Sequence, residues 1–184
     1  AISLAQTADG ALGQVSDMAQ RMRELAVQSA NATNSSSDRT NLDAEFKQLQ
    51  DEITRTLTGT KFNGKAILGA DAGTSLNFQV GAGTTTDVDT ISVSSTNMTT
   101  NTTVTDVTGT GADITTDTKA TDAIGKLDKL LDEINTQRAT YGAVQNRFSS
   151  VISTLQIAVE NQSAARGRIM DADYAAETAN LTRT

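Results

Sequence analysis

Nucleophilic and acid–base chemistry at neutral pH leans on side chains this sequence lacks. There is no histidine and no cysteine in its 184 residues. Imidazole bases, thiolate nucleophiles, Cys/His zinc sites and disulfides are therefore excluded. Carboxylates and guanidinium groups remain. Asp171 and Asp173 have the composition of a metal-binding pair, but residues two apart on a helix point away from each other. No pattern sets two of the other carboxylates across a cleft. A surface hydrolase using carboxylates is thus poorly supported, and neither a cofactor nor a metal is expected. Arg21, Arg23 and Glu24 suit either a solvated helix face or a surface that recognises another protein. Arg21 and Leu25, four residues apart, share one side of a helix. Asn-x-Ser/Thr triplets at Asn31, Asn34, Asn97, Asn101 and Asn161 arise readily by chance in a chain so rich in Ser and Thr.

The elements that hold these groups are legible from spacing. Leu4, Ala8, Ala11, Val15, Met18, Met22, Leu25 and Ser29 recur at alternating intervals of four and three. That seven-residue repeat keeps one seam on one side of a helix over about residues 1–32. Gly10 and Gly13 weaken this helix by roughly 1 kcal/mol each relative to Ala without breaking the pattern. Asn31 to Asp38 is polar and interrupts it, with Ser37, Asp38 or Thr40 as candidate caps for the next helix. Leu42, Phe46, Leu49, Ile53 and Thr56 restart the spacing over about residues 40–57, with Glu52 and Arg55 facing solvent. From Ile124 through Leu127, Leu131, Ile134, Arg138, Tyr141, Gln145, Phe148, Ile152, Leu155, Val159, Gln162 and Arg166 to Ile169 the spacing never lapses. This predicts one helix of about 55–60 residues, about 85 Å long, with Arg138, Gln145, Gln162 and Arg166 as polar register-setting positions. A helix that long must lie against other helices. The first two together nearly match it.

Between the helical arms the period changes. Phe62-Asn63-Gly64-Lys65 contains a hairpin turn dipeptide. Leu76–Val80 and Ile91–Val93 alternate apolar and polar residues, as short strands do. Residues 82–118 are dominated by Ser, Thr, Gly and Asp, with Val104, Val107 and Ile114 isolated among them. They read as a short, poorly specified surface insertion with one or two strands. The fold class predicted is mainly α with a small β region: an elongated antiparallel three-helix, coiled-coil-like rod capped by short β-hairpins. Its parts are 1–81, the insertion 82–118, and the long helix 119–184.

Composition agrees. Only 3% of residues are aromatic, with no Trp and no Pro; a chain of this length would ordinarily hold roughly nine prolines. Long helices packed through small aliphatic side chains tolerate the first absence and require the second. The net charge of −7 has the wrong sign for nucleic acid. No apolar run approaches the roughly 20 residues of a membrane span, and the first residues do not resemble a signal peptide. The expected protein is soluble and, if exported, leaves by a route without a cleaved signal.

At this point the sequence resembles bacterial flagellin. Ile2–Leu12 (ISLAQTADGAL) resembles its N-terminal core, and Gln20–Asn31 (QRMRELAVQSAN) its signature segment. Phe62-Asn63-Gly64 and Phe78-Gln79-Val80-Gly81 resemble its hairpin and strand motifs. Gly142–Phe148 (GAVQNRF) and Ile169–Glu177 (IMDADYAAE) resemble its C-terminal core. The resemblance covers all but about residues 82–118. It implies a structural, self-assembling subunit of the extracellular flagellar filament, exported unfolded through a type III channel, where a disulfide would obstruct passage. It also implies that the family's extreme termini, which form the inner coiled-coil tube, are missing here and that the fragment is monomeric. Its partners would be other flagellin subunits and Toll-like receptor 5. Carried over, the receptor-binding residues are Arg21, Leu25 and Glu45, with Gln28 as a weaker neighbour. Leu25 lies on the seam, so a buried role competes with recognition. A hook–filament junction protein and an unrelated coiled-coil adhesin are the alternatives. The match at Gln20–Asn31 disfavours the first.

Overall fold

The seven-residue recurrence sets the architecture. In the computed structural model, which describes residues 1–73, 75–86 and 88–183, α1 (Ile2–Ala30) and α2 (Ser36–Gly59) come first. Four short strands follow: β1 (Lys61–Phe62), β2 (Lys65–Ala66), β3 (Leu76–Gln79) and β4 (Thr90–Val93). A short helix, α3 (Thr102–Thr108), precedes the long helix α4 (Asp117–Leu181). α4 runs for 65 residues as one helix, as its spacing predicts. The chain divides into two compact units, Ala1–Gln145 and Asn146–Thr184.

In the first unit, α1 lies antiparallel to the first half of α4. Arg138 pairs with Asp9 and Arg23 with Asp128, so position rises along one helix as it falls along the other. α2 lies beside α1, with Arg21 bonded to Glu45. The core between them gathers Leu4, Leu12, Val15, Met22 and Leu25 from α1, Phe46, Ile53 and Leu57 from α2, and Leu127, Leu130, Ile134 and Tyr141 from α4. α1 buries a broader stripe than a two-helix seam needs. Leu12 and Ala19 are fully buried, whereas Ala11 and Met18 are only half-buried. A helix facing two neighbours presents a wide apolar face. Of the polar positions expected on the seam, Arg138 donates to Asp9 at 2.8 Å.

Local chemistry fixes the ends. The cap of α2 is Ser35, earlier than the candidates Ser37, Asp38 and Thr40. Its hydroxyl accepts from the Asp38 N–H at 3.1 Å while the Asp38 carboxylate accepts from the Ser35 N–H at 3.0 Å. This reciprocal box satisfies two otherwise unpaired donors. Arg39 then closes α1, donating to the carbonyls of Ser29, Asn31 and Asn34 at 2.9, 3.0 and 3.1 Å. β1 and β2 pair antiparallel with Phe62 opposite Lys65. Their turn holds Asn63 and Gly64 at φ 50° and 77°, the two positive angles a tight hairpin requires. β3 pairs antiparallel with β4, Leu76 opposite Val93.

Two expectations are corrected. Residues 82–118 are not uniformly a loose surface insertion: they contain α3, and Met98, Val104, Val107 and Ile114 are buried in the core. The isolated apolar residues are anchors, because polar side chains from α1 and α2 satisfy the backbone between them. In the second unit, the seam residues Ile152, Leu155, Val159 and Ile169 are 46%, 42%, 62% and 71% exposed. The stripe expected to lie against other helices is uncovered there.

Candidate interaction surface

On α1, the helical spacing brings Arg21 and Glu24 onto one exposed side, and the antiparallel neighbour contributes Glu45. Arg21 Nε donates to Glu45 Oε1 at 2.8 Å, and its Nη1 to Glu24 Oε2 at 3.1 Å. About half of each of the Arg21 and Glu45 side chains remains exposed. The Glu45 hydrogen bond, then that of Glu24, raises the Arg21 pKa above its ordinary value, so the guanidinium stays charged. The group is a fixed, solvated array of one cation between two anions, able to exchange its internal bonds for bonds to a partner. Gln28 is exposed one turn further on, next to Val27, an apolar residue 48% exposed. Val27 escaped the sequence reading; its signal is an apolar side chain off the seam.

Leu25 departs from the set. It is 1% exposed and belongs to the core. Its place on the seven-residue seam turns it inward, away from the surface that Arg21 presents. Its side chain supports that surface from beneath and is not available for direct contact.

A shallow groove is lined by Phe46, Asp106, Asp113, Lys119, Asp122 and Lys126, among others. Its lysines are consumed by Lys119–Asp113 and Lys126–Asp122 pairs, each at 2.7 Å. Burial works against the Asp113 carboxylate, but hydrogen bonds from Lys119 and Thr115 outweigh it and hold its pKa at about 2. Among the described residues no group of three or more acidic, His or Cys side chains is placed to hold a metal. No helix among them is long and apolar enough to cross a membrane.

The second exposed feature lies beyond Gln145, where Ile152, Leu155 and Val159 flank Gln156 and Glu160. Past the polar seam positions Gln162 and Arg166, Ile169, Met170 and Tyr174 form a second exposed apolar group at 71%, 60% and 79% exposure. Single exposed apolar residues are ordinary; apolar groups clustered on one helix are a mark of an interface.

A helical bundle with ion pairs on its open faces, whose longest helix carries uncovered apolar groups, presents surfaces suited to contact with other proteins. Comparison with known proteins agrees. Residues 1–72 match the bacterial flagellin N-terminal helical region, and residues 124–184 the bacterial flagellin C-terminal helical region. The chain is 41% identical to a flagellin of Halalkalibacterium halodurans over 185 residues, covering 100% of this chain and 65% of that protein. It is 34% identical to the flagellar filament 30.7 kDa core protein of Treponema maltophilum, covering 99% of this chain and 66% of that one. The crystal structure of Bacillus cereus flagellin aligns with a TM-score of 0.71 at 35% identity, over 83% of this chain and 84% of that chain. The chain belongs to the flagellin family, a family of structural proteins and not of enzymes. It spans about two thirds of the length of these curated relatives, 65% and 66%.

Proposed function

We propose that this chain is the core of a flagellar filament subunit, packed against other flagellin subunits outside the cell. What carries the reading is the uncovered apolar surface of the long helix, Ile152, Leu155 and Val159 and, beyond the polar Gln162 and Arg166, Ile169, Met170 and Tyr174. Such a surface is costly in water at about 25 cal/mol per Å² and gains that free energy when helices of an assembly cover it. The Treponema maltophilum relative is by its name a filament core protein, which supports the same role here. The absence of cysteine and proline suits export in an unfolded state through a type III channel, followed by rapid refolding. Two core arms, 1–81 and 119–184, fit the family models, which match residues 1–72 and 124–184, and the stretch 82–118 between them adds Met98, Val104, Val107 and Ile114 to the core.

The same reading makes the Arg21, Gln28 and Glu45 surface the part recognised by Toll-like receptor 5, with Leu25 as the buried support of that helix face. The exposed ion-pair array supports it, since its bonds can be exchanged without unfolding the bundle. By itself the chain is expected to be monomeric.

The test places residues 1–184 as the core of a full-length flagellin in a bacterium deleted for its own. Filaments under the electron microscope and restored swimming are the expected result. Secreted protein that stays monomeric contradicts the assignment.

A further inference from the structure

Between β4 and α4 the chain crosses the bundle, largely through the stretch that neither flagellin model covers. Met98, Val104, Val107 and Ile114 in this crossing are each 2% exposed or less. Three polar side chains of the helices turn inward to meet its backbone. Ser29 Oγ donates to the Ile114 carbonyl at 2.5 Å, and Asp43 Oδ1 accepts from the Ile114 N–H at 2.9 Å. Gln50 Nε2 donates to the carbonyls of Val107 and Ala112 at 2.7 and 2.9 Å. Ser29, Asp43 and Gln50 are themselves 0%, 3% and 7% exposed. Ile114 is thus gripped by α1 through its carbonyl and by α2 through its N–H, immediately before α4 begins at Asp117.

The polar links that run directly from α1 to α4 are different in kind. Arg23–Asp128 and Arg138–Asp9 have side chains between a third and a half exposed, where an ion pair contributes little. Buried polar groups, by contrast, are tolerated only when their partners are in place. Gln50 gains its backbone partners only when the crossing is seated, and Asp43, whose other oxygen pairs with Lys47 on α2, gains the Ile114 N–H with it.

We infer that residues 98–116 are a latch. They fix the first turns of α4 against the α1–α2 pair, and the latch and those turns open and close together as one cooperative unit, below the threshold of global unfolding. The inference stands independently of filament assembly and receptor recognition, since it concerns the folded subunit alone.

Hydrogen exchange read by mass spectrometry on the whole chain tests it. Gln50→Leu leaves the Val107 and Ala112 carbonyls without their donor. The amides of residues 104–114 and 120–131 are expected to exchange about tenfold faster or more, both by the same factor. The amides of residues 5–26 are expected to keep their wild-type rates. Faster exchange in 104–114 with 120–131 unchanged would make the crossing a mere cover. A uniform acceleration of the whole chain would remove the separate unit. Should Gln50→Leu not fold, the wild-type protein in a urea series gives the same decision. Exchange in the two segments must converge on one denaturant dependence, distinct from that of global unfolding; two unrelated dependences overturn the latch.

Discussion

Arg21 Nε donates to Glu45 Oε1 at 2.8 Å, and this bond ties the exposed side of α1 to the first half of α2. Because both side chains are half exposed, water and salt screen the pair and it adds little to stability. Arg21→Ala is therefore expected to leave the thermal unfolding midpoint nearly unchanged while weakening receptor binding, with Glu45→Ala acting in the same direction. Surface plasmon resonance at two salt concentrations, beside thermal melts, checks this. Unaltered binding in both variants would place the recognition surface elsewhere.

Leu25 separates packing from recognition. At 1% exposure, its truncation to Ala is expected to destabilise the bundle by about 2–5 kcal/mol. Urea denaturation measures that loss. At a temperature where the variant is still fully folded, its receptor binding is expected to match wild type. A stable Leu25→Ala variant with lost binding would reverse the assignment of Leu25 to the core.

Tyr141 is buried with its hydroxyl unpaired, and burial pushes its pKa up to about 12. Tyr141→Phe removes a desolvated polar group at little cost in packing and is expected to be neutral or stabilising by about 1 kcal/mol. The pH dependence follows from the sign of the shift. Above about pH 10 the unfolded tyrosine ionises while the folded one holds its proton. The unfolded state then binds fewer protons, and stability falls as pH rises from about 10 to about 12. Denaturation curves across that range should show a shallower alkaline decline in Tyr141→Phe than in wild type.

Asp113 acts at the other end of the scale. Its folded pKa of about 2 lies below the ordinary 3.8, so between these values the unfolded state binds more protons. Stability is then fully present above about pH 4 and is lost as pH falls towards about 2. Asp113→Asn is expected to lower stability at neutral pH and to flatten the acid limb of the stability curve. An acid limb as steep as wild type would mean that the Lys119 and Thr115 bonds to Asp113 contribute nothing.

Periodicity made the helices legible. The run from Ile124 to Ile169 predicts one helix because every fourth-then-third residue repeats, and α4 is continuous across it. Asn63-Gly64 predicts its turn because two successive positive φ angles admit few other residues. The pairing of Arg21 with Glu45 was within reach for the same reason: an antiparallel neighbour brings α2 back past α1. What stayed hidden depends on tertiary partners. Ser29, Asp43 and Gln50 look like ordinary polar helix residues, and only the backbone of 107–114 explains their burial. Without that grip, Val104, Val107 and Ile114 look like stray apolar residues in a polar loop. The row after Phe148 carries the same seam pattern as the core, and a pattern does not reveal whether its partner lies within the chain.

The central claim is that this row is covered in the assembled filament. The chain has no cysteine, so Leu155→Cys, in a full-length flagellin built on this core, introduces a single reporter on the 42%-exposed Leu155 position. Its alkylation rate is measured in dissociated monomers and in intact filaments. Rapid labelling of the monomer and strong protection in the filament are expected. Equal labelling in both states would contradict it.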